Sequence, residues 1–419
     1  MHHLVEKIKS ERGNLFSILS TTIISLGASF LLMLAFANLI SPQELGVYQY
    51  IIAISSLIAS ISLTGGNTAI IRAVGKKDYH FLPTVFRYTL LSFIPTITIA
   101  IVVSLYYLYQ ENIYLAAGIF FSTILILILQ YLIRYNFIYV AIEKFKISNY
   151  VLKAVSIGPL IILVPILFFT SNPSLLSILY FASSALTVSL VIWYFNMPSL
   201  VNELIESSPS KNKDTDKHLS FAIHQSVITL VNSATAHIDK VLIFQMLGAQ
   251  ATAIYFISVS IPDRLRNIIK QFDSYLFSKF AKHSAIATQQ NLHFKFFIML
   301  LAIIPFYLAY ILTAPIFFKL FISQYQEAIP LTIIYGLTLF AGAIIVPQSS
   351  LKAHANSKIF YILSFLYGII KFTSLFLGVY YYDLLGAIWA STFSLIIYML
   401  INYGATHVTV KSANPSDNY

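Results

Sequence analysis

The amino-acid sequence is dominated by long stretches that contain no charged residue. A helix needs about 20 mostly apolar residues to cross the hydrocarbon core of a membrane. Stretches of this length, repeated along the chain, predict a protein that crosses a membrane many times. The stretches without Asp, Glu, Lys or Arg are Gly13–Gln43, Leu45–Ile71, Tyr88–Gln110, Asn112–Ile133, Ala154–Asn202, Val241–Pro262, Phe296–Phe318, Ala328–Leu351 and Leu384–Val410.

The composition supports this interpretation and excludes a soluble enzyme. Hydrophobic residues make up 58% of the 419 residues and charged residues only 10%, whereas soluble proteins carry about 25% charged residues. The absence of cysteine excludes disulfides, thiolate chemistry and cysteine-based metal sites. The histidines form no pair at metal-ligand spacing apart from His2 and His3 at the N-terminus. We therefore expect neither a metal nor a cofactor.

The hydropathy pattern predicts an all-α polytopic membrane protein with twelve helices. The stretch Ala154–Asn202 is long enough for two of them, and the turn residues 171–174 separate the pair. The basic N-terminus precedes an apolar run that is too long for a cleavable signal peptide. The predicted helices cover residues 14–40, 44–70, 83–108, 112–140, 148–170, 174–196, 218–247, 250–278, 293–319, 327–348, 357–380 and 383–405.

Charges in the predicted loops indicate the orientation. The connections after helices 2, 4, 8 and 10 carry basic residues, whereas the opposite loops are short and mostly acidic. An excess of Lys and Arg marks the cytoplasmic side, so both termini are predicted to be cytoplasmic. This bias also explains the net charge of +10 without a nucleic-acid partner. The basic loop residues are Arg72, Lys76, Lys77, Lys144, Lys146, Lys279, Lys282, Lys352 and Lys358.

One long connection, residues 197–217, divides the chain into an N-lobe (1–196) and a C-lobe (218–405), followed by a cytoplasmic tail (406–419). An offset of 207 residues aligns Thr22 with Thr229, Tyr48 with Tyr255 and Arg72 with Lys279. Each half starts on the inside and has an even number of helices, so both have the same topology. The pattern predicts two six-helix bundles related by a parallel pseudo-two-fold repeat, with a central cavity between the lobes.

Short motifs in both halves resemble a known family. The sequence LISPQELGVY at 39–48 follows the first helix, and DKVLI at 239–243 precedes LGAQ at 247–250 and then Tyr255. These motifs, with the length and the six-plus-six division, resemble the polysaccharide or O-antigen translocases (Wzx-type flippases) of the multidrug/oligosaccharidyl-lipid/polysaccharide (MOP) exporter superfamily. One departure is that residues 248–253 (GAQATA) lack the glycine usual just before the second-half tyrosine.

The resemblance implies a flippase and not an enzyme. Such a protein would move a polyprenyl-diphosphate-linked oligosaccharide, of the O-antigen or capsule repeat-unit type, across the bacterial cytoplasmic (inner) membrane. It would work by alternating access, with a gradient of H⁺ or Na⁺ as the expected driving force. Membrane lipids and the polysaccharide assembly machinery are the other partners that the resemblance suggests.

Charged residues inside predicted helices are candidates for the transport site because their insertion costs about 2.5–3.5 kcal/mol each. Asp263, Arg266, Lys270 and Asp273 recur at helical spacing on one face of helix 8. They predict a cationic wall that binds an anionic headgroup, with the two acids restraining the two bases. The alternative is an amphipathic helix end that leaves the membrane into the cytosol.

Helix 7 carries a second polar stripe. Gln225 and Asn232 are predicted to line the cavity for substrate, and Asp239 lies on the same stripe. Asp239 and Asp263 are the candidates for ion coupling. The alternative for Asp239 is a structural pair with a neighbouring helix.

Four further basic residues remain. Arg134 in helix 4 and Lys371 near the middle of helix 11 are candidates for headgroup contact or for internal pairing. Arg72 and Lys279 end helices 2 and 8 and are candidates for the cytoplasmic mouth of the cavity or for interface anchors.

The sign of the predicted cavity charges separates the function classes. Bases outnumber acids, which favours a diphosphate over the cationic substrates of a MATE-like multidrug antiporter. A membrane glycan polymerase or acyltransferase needs a positioned base or nucleophile, usually with larger soluble loops. The predicted outer loops are only a few residues long.

Overall fold

A computed structural model shows a helical protein. It describes the backbone of residues 2–206, 215–270, 273, 276, 280, 292–354 and 357–412, and the side chains of residues 20–206, 215–270, 273, 276, 280, 292–352 and 359–406. Every regular element within these ranges is helical. The prediction of an all-α chain is therefore confirmed.

The first part of the chain forms nine helices. These are α1 His2–Leu39, α2 Pro42–Ala59, α3 Gly66–Gly75, α4 Phe81–Tyr109, α5 Ile113–Ala141, α6 Phe145–Ile166, α7 Pro173–Tyr194, α8 Met197–Glu206 and α9 Thr215–Leu247.

The remaining described residues form five α-helices and two short 3₁₀ segments. The helices are α10 Ala249–Lys270, α11 Leu292–Phe321, α12 Ala328–Gly336, α13 Ile345–His354 and α14 Ser357–Ser412, with 3₁₀ turns at Ser323–Tyr325 and Leu337–Ile344. Helix α14 is broken at Tyr382 and Asp383, where Asp383 has a φ of 49°. This break lies between the predicted helices 11 and 12.

Among the described residues, nine helices are long and apolar enough to cross a membrane. Many of their large apolar side chains point outward, for example Phe169 and Ile161 on the α6 side and Phe306 and Leu312 on α11. Outward-facing apolar surface of this extent requires a lipid environment. The protein is therefore an integral membrane protein.

The chain divides into two compact units, Met1–His237 and Ile238–Tyr419. The division falls inside α9, so the first part of α9 packs with the N-terminal unit. The N-terminal unit has apolar clusters centred on residues such as Leu127, Val188 and Phe81, and the C-terminal unit has one that includes Phe296 and Ile344. The predicted division at residues 197–217 stays a prediction.

The predicted continuous helix 44–70 is wrong. It breaks between Ala59 and Gly66, and α3 continues beyond it to Gly75. Gly65 lies in this break, and its N–H donates to Ser226 Oγ of α9 at 2.9 Å. A Cβ at Gly65 would lie 2.3 Å from the Ala222 carbonyl oxygen. At the break, α9 thus approaches the backbone of Gly65 more closely than a side chain at this position would permit.

The predicted turn at 171–174 is present and well capped. Asn172 Oδ1 accepts from the N–H groups of Ser174 and Leu175, and Pro173 opens α7. Proline suits this first helical position because its missing N–H would be unpaired there anyway. Ser171 also donates to the carboxylate of Glu44, which forms a capping box with Ser41 at the start of α2. These contacts join two turns of the N-terminal unit.

Candidate functional site

The charged face of α10 forms an ion pair between Asp263 and Arg266. Arg266 Nη2 donates to Asp263 Oδ1 at 2.8 Å. The Arg266 side chain is nearly buried, whereas that of Asp263 is 37% exposed. The spacing of three residues places both on one side of the helix, as the sequence predicts.

Tyr335 of α12 completes this cluster. Its hydroxyl donates to Asp263 Oδ1 at 3.0 Å, so a single carboxylate oxygen accepts from two helices. The sequence analysis did not identify Tyr335, because it lies within a charge-free stretch and no sequence feature distinguishes it from the many other tyrosines.

Arg266 keeps unused hydrogen-bonding capacity. Its Nε and Nη1 atoms are buried and have no hydrogen-bond partner among the described residues. A guanidinium has five N–H donors in a planar fork, and buried donors are nearly always paired in folded proteins. The unpaired donors make Arg266 the best candidate in this unit for binding an anion, because the fork matches phosphate and carboxylate geometry.

The other two charged residues on this face lie apart from that pair. Lys270 is exposed. Asp273 forms an ion pair with Lys352 of α13 and accepts from Ser349 Oγ at 2.5 Å. The predicted role of Asp273 in restraining Arg266 and Lys270 is therefore replaced by a contact that holds α13. Arg264, next to the cluster, donates from Nη1 to the Ser260 carbonyl oxygen of its own helix at 2.9 Å.

A second cluster surrounds Asp239 near the end of α9. The ammonium of Lys371 in α14 lies 3.5 Å from Asp239 Oδ2. The Tyr255 hydroxyl of α10 donates to the same oxygen at 3.0 Å and lies 2.8 Å from Ser391 Oγ. All four side chains are buried. The structure thus gives Asp239 and Lys371 the internal pairing that the sequence analysis considered for each.

Arg134 lies in the N-terminal unit, where it is almost completely buried. Its Nη2 donates to the Leu63 carbonyl oxygen at 2.5 Å, and its Nη1 lies 3.4 Å from Asn67 Oδ1. Leu63 lies in the break between α2 and α3, and Asn67 lies at the start of α3. The contacts are those of a residue that stabilises the break, which is the internal alternative for Arg134.

The remaining candidates lie on surfaces or outside the described residues. Gln225 is half-buried and Asn232 is exposed, both on the part of α9 that packs with the N-terminal unit. Arg72 is exposed at the end of α3, with its guanidinium carbon 4.7 Å from the ring centroid of Phe221. Lys279 lies outside the described residues.

The fold is similar to that of several solved transporters. It matches an inward-facing multidrug resistance MATE family transporter of the MOP superfamily with a TM-score of 0.65 and 14% identity, over 94% of this chain and 100% of that one. The outward-facing form of such a transporter matches with a TM-score of 0.65 and 12% identity, over 96% and 97% of the two chains. The lipid II flippase MurJ in an inward closed conformation matches with a TM-score of 0.68 and 14% identity, over 94% and 87%.

The sequence comparisons are more specific about the family. No curated protein matches the chain. Residues 12–278 match the family described as polysaccharide biosynthesis protein. This match covers more than half of the chain, and the resemblance predicted from the motifs at 39–48 and 239–255 is confirmed. The protein belongs to the polysaccharide biosynthesis protein family and has the fold of the MOP superfamily transporters.

Proposed function

We propose that the protein is a flippase for a polyprenyl-diphosphate-linked oligosaccharide, the O-antigen or capsule-type repeat unit. In this proposal, twelve helices form two pseudo-symmetric six-helix lobes in the bacterial cytoplasmic membrane, with both termini in the cytoplasm. A central cavity between the lobes opens alternately to either side. Membership of the polysaccharide biosynthesis family and the transporter fold support this proposal.

The observation that carries the proposal is the unpaired part of the Arg266 guanidinium. Two of its nitrogen atoms are buried without a hydrogen-bond partner among the described residues, while the third is held by Asp263. A diphosphate offers several anionic oxygens to such a fork and is bound by charge-assisted hydrogen bonds. Lys270, one helical turn further and exposed, supplies a second positive charge.

The other candidates take supporting roles in this proposal. Gln225 and Asn232 offer amide groups for sugar hydroxyls, and Arg72 and Lys279 attract the anionic headgroup at the cytoplasmic mouth. Arg134 and Lys371 stabilise the two units through their internal contacts instead of touching the substrate. A proton or sodium gradient drives the cycle through Asp263 or Asp239.

Export of a cationic drug fits the described clusters less well. An antiporter for cations needs a carboxylate that is free to bind the substrate. Each acid in the C-terminal clusters already faces a base, because Asp263 pairs with Arg266, Asp239 with Lys371 and Asp273 with Lys352. The two nitrogen atoms of Arg266 that have no hydrogen-bond partner among the described residues belong to a cationic group, and such a group attracts an anion.

The experiment is a translocation assay in proteoliposomes with a fluorescent polyprenyl-diphosphate-linked oligosaccharide. Loss of hydrogen bonds to a charged group costs about 1.5–3 kcal/mol each, so Arg266→Ala is expected to reduce transport about tenfold or more, and Arg266→Ala with Lys270→Ala further. Arg264→Ala is the matched control, because Arg264 bonds its own helix. Unchanged transport in the double variant contradicts the assignment of the site.

A further inference from the structure

The ion pair between Asp239 and Lys371 is buried within the C-terminal unit. Both side chains are buried, with residue exposures of 8% and 7%. A single charged group inside the membrane costs free energy on insertion, and such groups pair with one another. The pair joins α9 to the first half of α14, two helices far apart in sequence.

A chain of hydrogen bonds leads from Asp239 to α10 and on to the second half of α14. Asp239 Oδ2 accepts from the Tyr255 hydroxyl of α10, and that hydroxyl is hydrogen-bonded to Ser391 Oγ of the second half of α14. Asp239 Oδ1 accepts from the Lys240 N–H at 2.9 Å. The carboxylate is therefore held in one orientation, with Oδ2 directed at the ammonium and the tyrosine.

A carboxylate with hydroxyl oxygens beside it has the chemistry of a cation site. Hard cations such as Na⁺, like Ca²⁺ and Mg²⁺, prefer carboxylate, hydroxyl and carbonyl oxygens. In this protein, the positive charge facing Asp239 is the ammonium of Lys371, which is covalently attached and cannot diffuse away. An attached ammonium supplies the charge that a bound monovalent cation would otherwise supply.

We propose that Asp239, Tyr255 and Ser391 form a monovalent-cation site whose resident cation is the ammonium group of Lys371. The protein therefore takes up no Na⁺ at this position while Lys371 is present. Removal of the ammonium, with the oxygens left in place, converts the position into a Na⁺ site.

This inference concerns the ion and does not depend on which substrate the protein moves. Its consequence for the proposed function is that a sodium gradient does not act through Asp239. Asp263, whose carboxylate is more exposed than that of Asp239, then remains as the carboxylate for coupling.

The test measures thermal unfolding of the purified protein in detergent, in NaCl or in choline chloride at equal ionic strength. Equal ionic strength removes general screening, and a cation that binds only the folded state raises the unfolding midpoint. Wild-type protein and Asp239→Asn are expected to show the same difference in midpoint between the two salts. Lys371→Met and Lys371→Gln are expected to unfold several degrees higher in NaCl than in choline chloride.

Two controls isolate the site. Lys371→Met with Asp239→Asn removes both charges and is expected to lose the sodium effect. Lys240→Met removes the neighbouring lysine, whose ammonium lies 5.3 Å from the ring centroid of Phe256, and leaves Lys371 in place. It is expected to resemble wild type.

Three results overturn the proposal. One is a sodium-specific stabilisation of the wild type that Asp239→Asn abolishes. Another is equal midpoints in both salts for Lys371→Met and Lys371→Gln. The third is failure of both variants to fold even in NaCl, because Na⁺ should then replace the missing charge. Whether or not Arg266→Ala loses substrate transport has no bearing on these outcomes.

Discussion

Arg134 Nη2 of helix α5 donates a 2.5 Å hydrogen bond to the Leu63 carbonyl oxygen. Leu63 lies in the break between α2 and α3, where its N–H donates to Ser92 Oγ at 2.9 Å instead of to a carbonyl of its own helix. One turn before Arg134, Gln130 donates to the Ala59 carbonyl oxygen at 3.3 Å and accepts from Ser62 Oγ at 2.6 Å. Irregular backbone inside a membrane protein persists only where such partners satisfy it.

Arg134→Met is expected to destabilise the protein. Methionine has a similar length but no donor, so the Leu63 carbonyl keeps only its bond from the Gly66 N–H at 3.2 Å, and loss of the bond from the charged guanidinium costs about 1–3 kcal/mol. Thermal unfolding in detergent measures the loss as a lower midpoint. Arg87→Met on α4 is the matched control, since Arg87 is exposed and its loss leaves no buried acceptor. Equal midpoints for the two variants contradict the role of Arg134.

Gly65→Ala is expected to disturb the contact between the break and α9. The new methyl group would lie 2.3 Å from the Ala222 carbonyl oxygen, so the backbone must shift and the hydrogen bond from Gly65 to Ser226 lengthens. We expect reduced folding yield and a lower unfolding midpoint. At Gly27 in α1, a Cβ meets nothing within 4 Å, and alanine there is expected to be neutral or stabilising by about 0.5–1 kcal/mol. Equal unfolding midpoints for Gly65→Ala and Gly27→Ala would contradict a role of the close approach at Gly65 in stability.

Asp263→Asn is expected to tighten the binding of inorganic diphosphate. The substitution removes the negative charge that faces Arg266 and keeps an oxygen that accepts from Tyr335. Titration calorimetry in detergent is expected to show several-fold higher affinity than wild type. If Asp263 also couples transport to an ion gradient, the variant loses the response of transport to that gradient. Tyr335→Phe, which keeps the charge, is the control, and weaker diphosphate binding by Asp263→Asn contradicts the prediction.

Glu44 is expected to make stability depend on acidic pH. Partial burial raises the pKa of the Glu44 carboxyl, but hydrogen bonds from Ser171 and Ser41 outweigh it, so the pKa lies below its ordinary value. A carboxyl with a lowered pKa in the folded state stabilises the protein above its unfolded pKa of about 4.3. This contribution disappears as the pH falls through the folded pKa.

The measurement for Glu44 is the difference in unfolding midpoint between wild type and Glu44→Gln. It is expected to be constant at neutral pH and to shrink as the pH falls below about 4.3. Glu111→Gln is the control, since Glu111 lies in the exposed turn after α4. A difference that does not change with pH contradicts the assigned role of the Glu44 carboxylate.

The comparison of sequence and structure separates two kinds of information. The long charge-free stretches determined that the chain is helical and embedded in a membrane, because hydrophobicity over about 20 residues is a local property. The spacing from Asp263 to Arg266 likewise determined their pairing, since residues three apart share one face of a helix. The family motif at 39–48 identified the family for a similar reason, because it is a contiguous segment.

Pairing between distant helices was decided only by the tertiary structure. Asp273 has Lys270 at a favourable helical spacing, yet it pairs with Lys352 of α13. Asp239 forms an ion pair with Lys371, more than a hundred residues away. Arg134 donates a hydrogen bond to the Leu63 carbonyl, about seventy residues away. A charge or a broken helix inside the membrane must find a partner. Which partner it finds depends on the packing of helices, which no single segment of sequence contains.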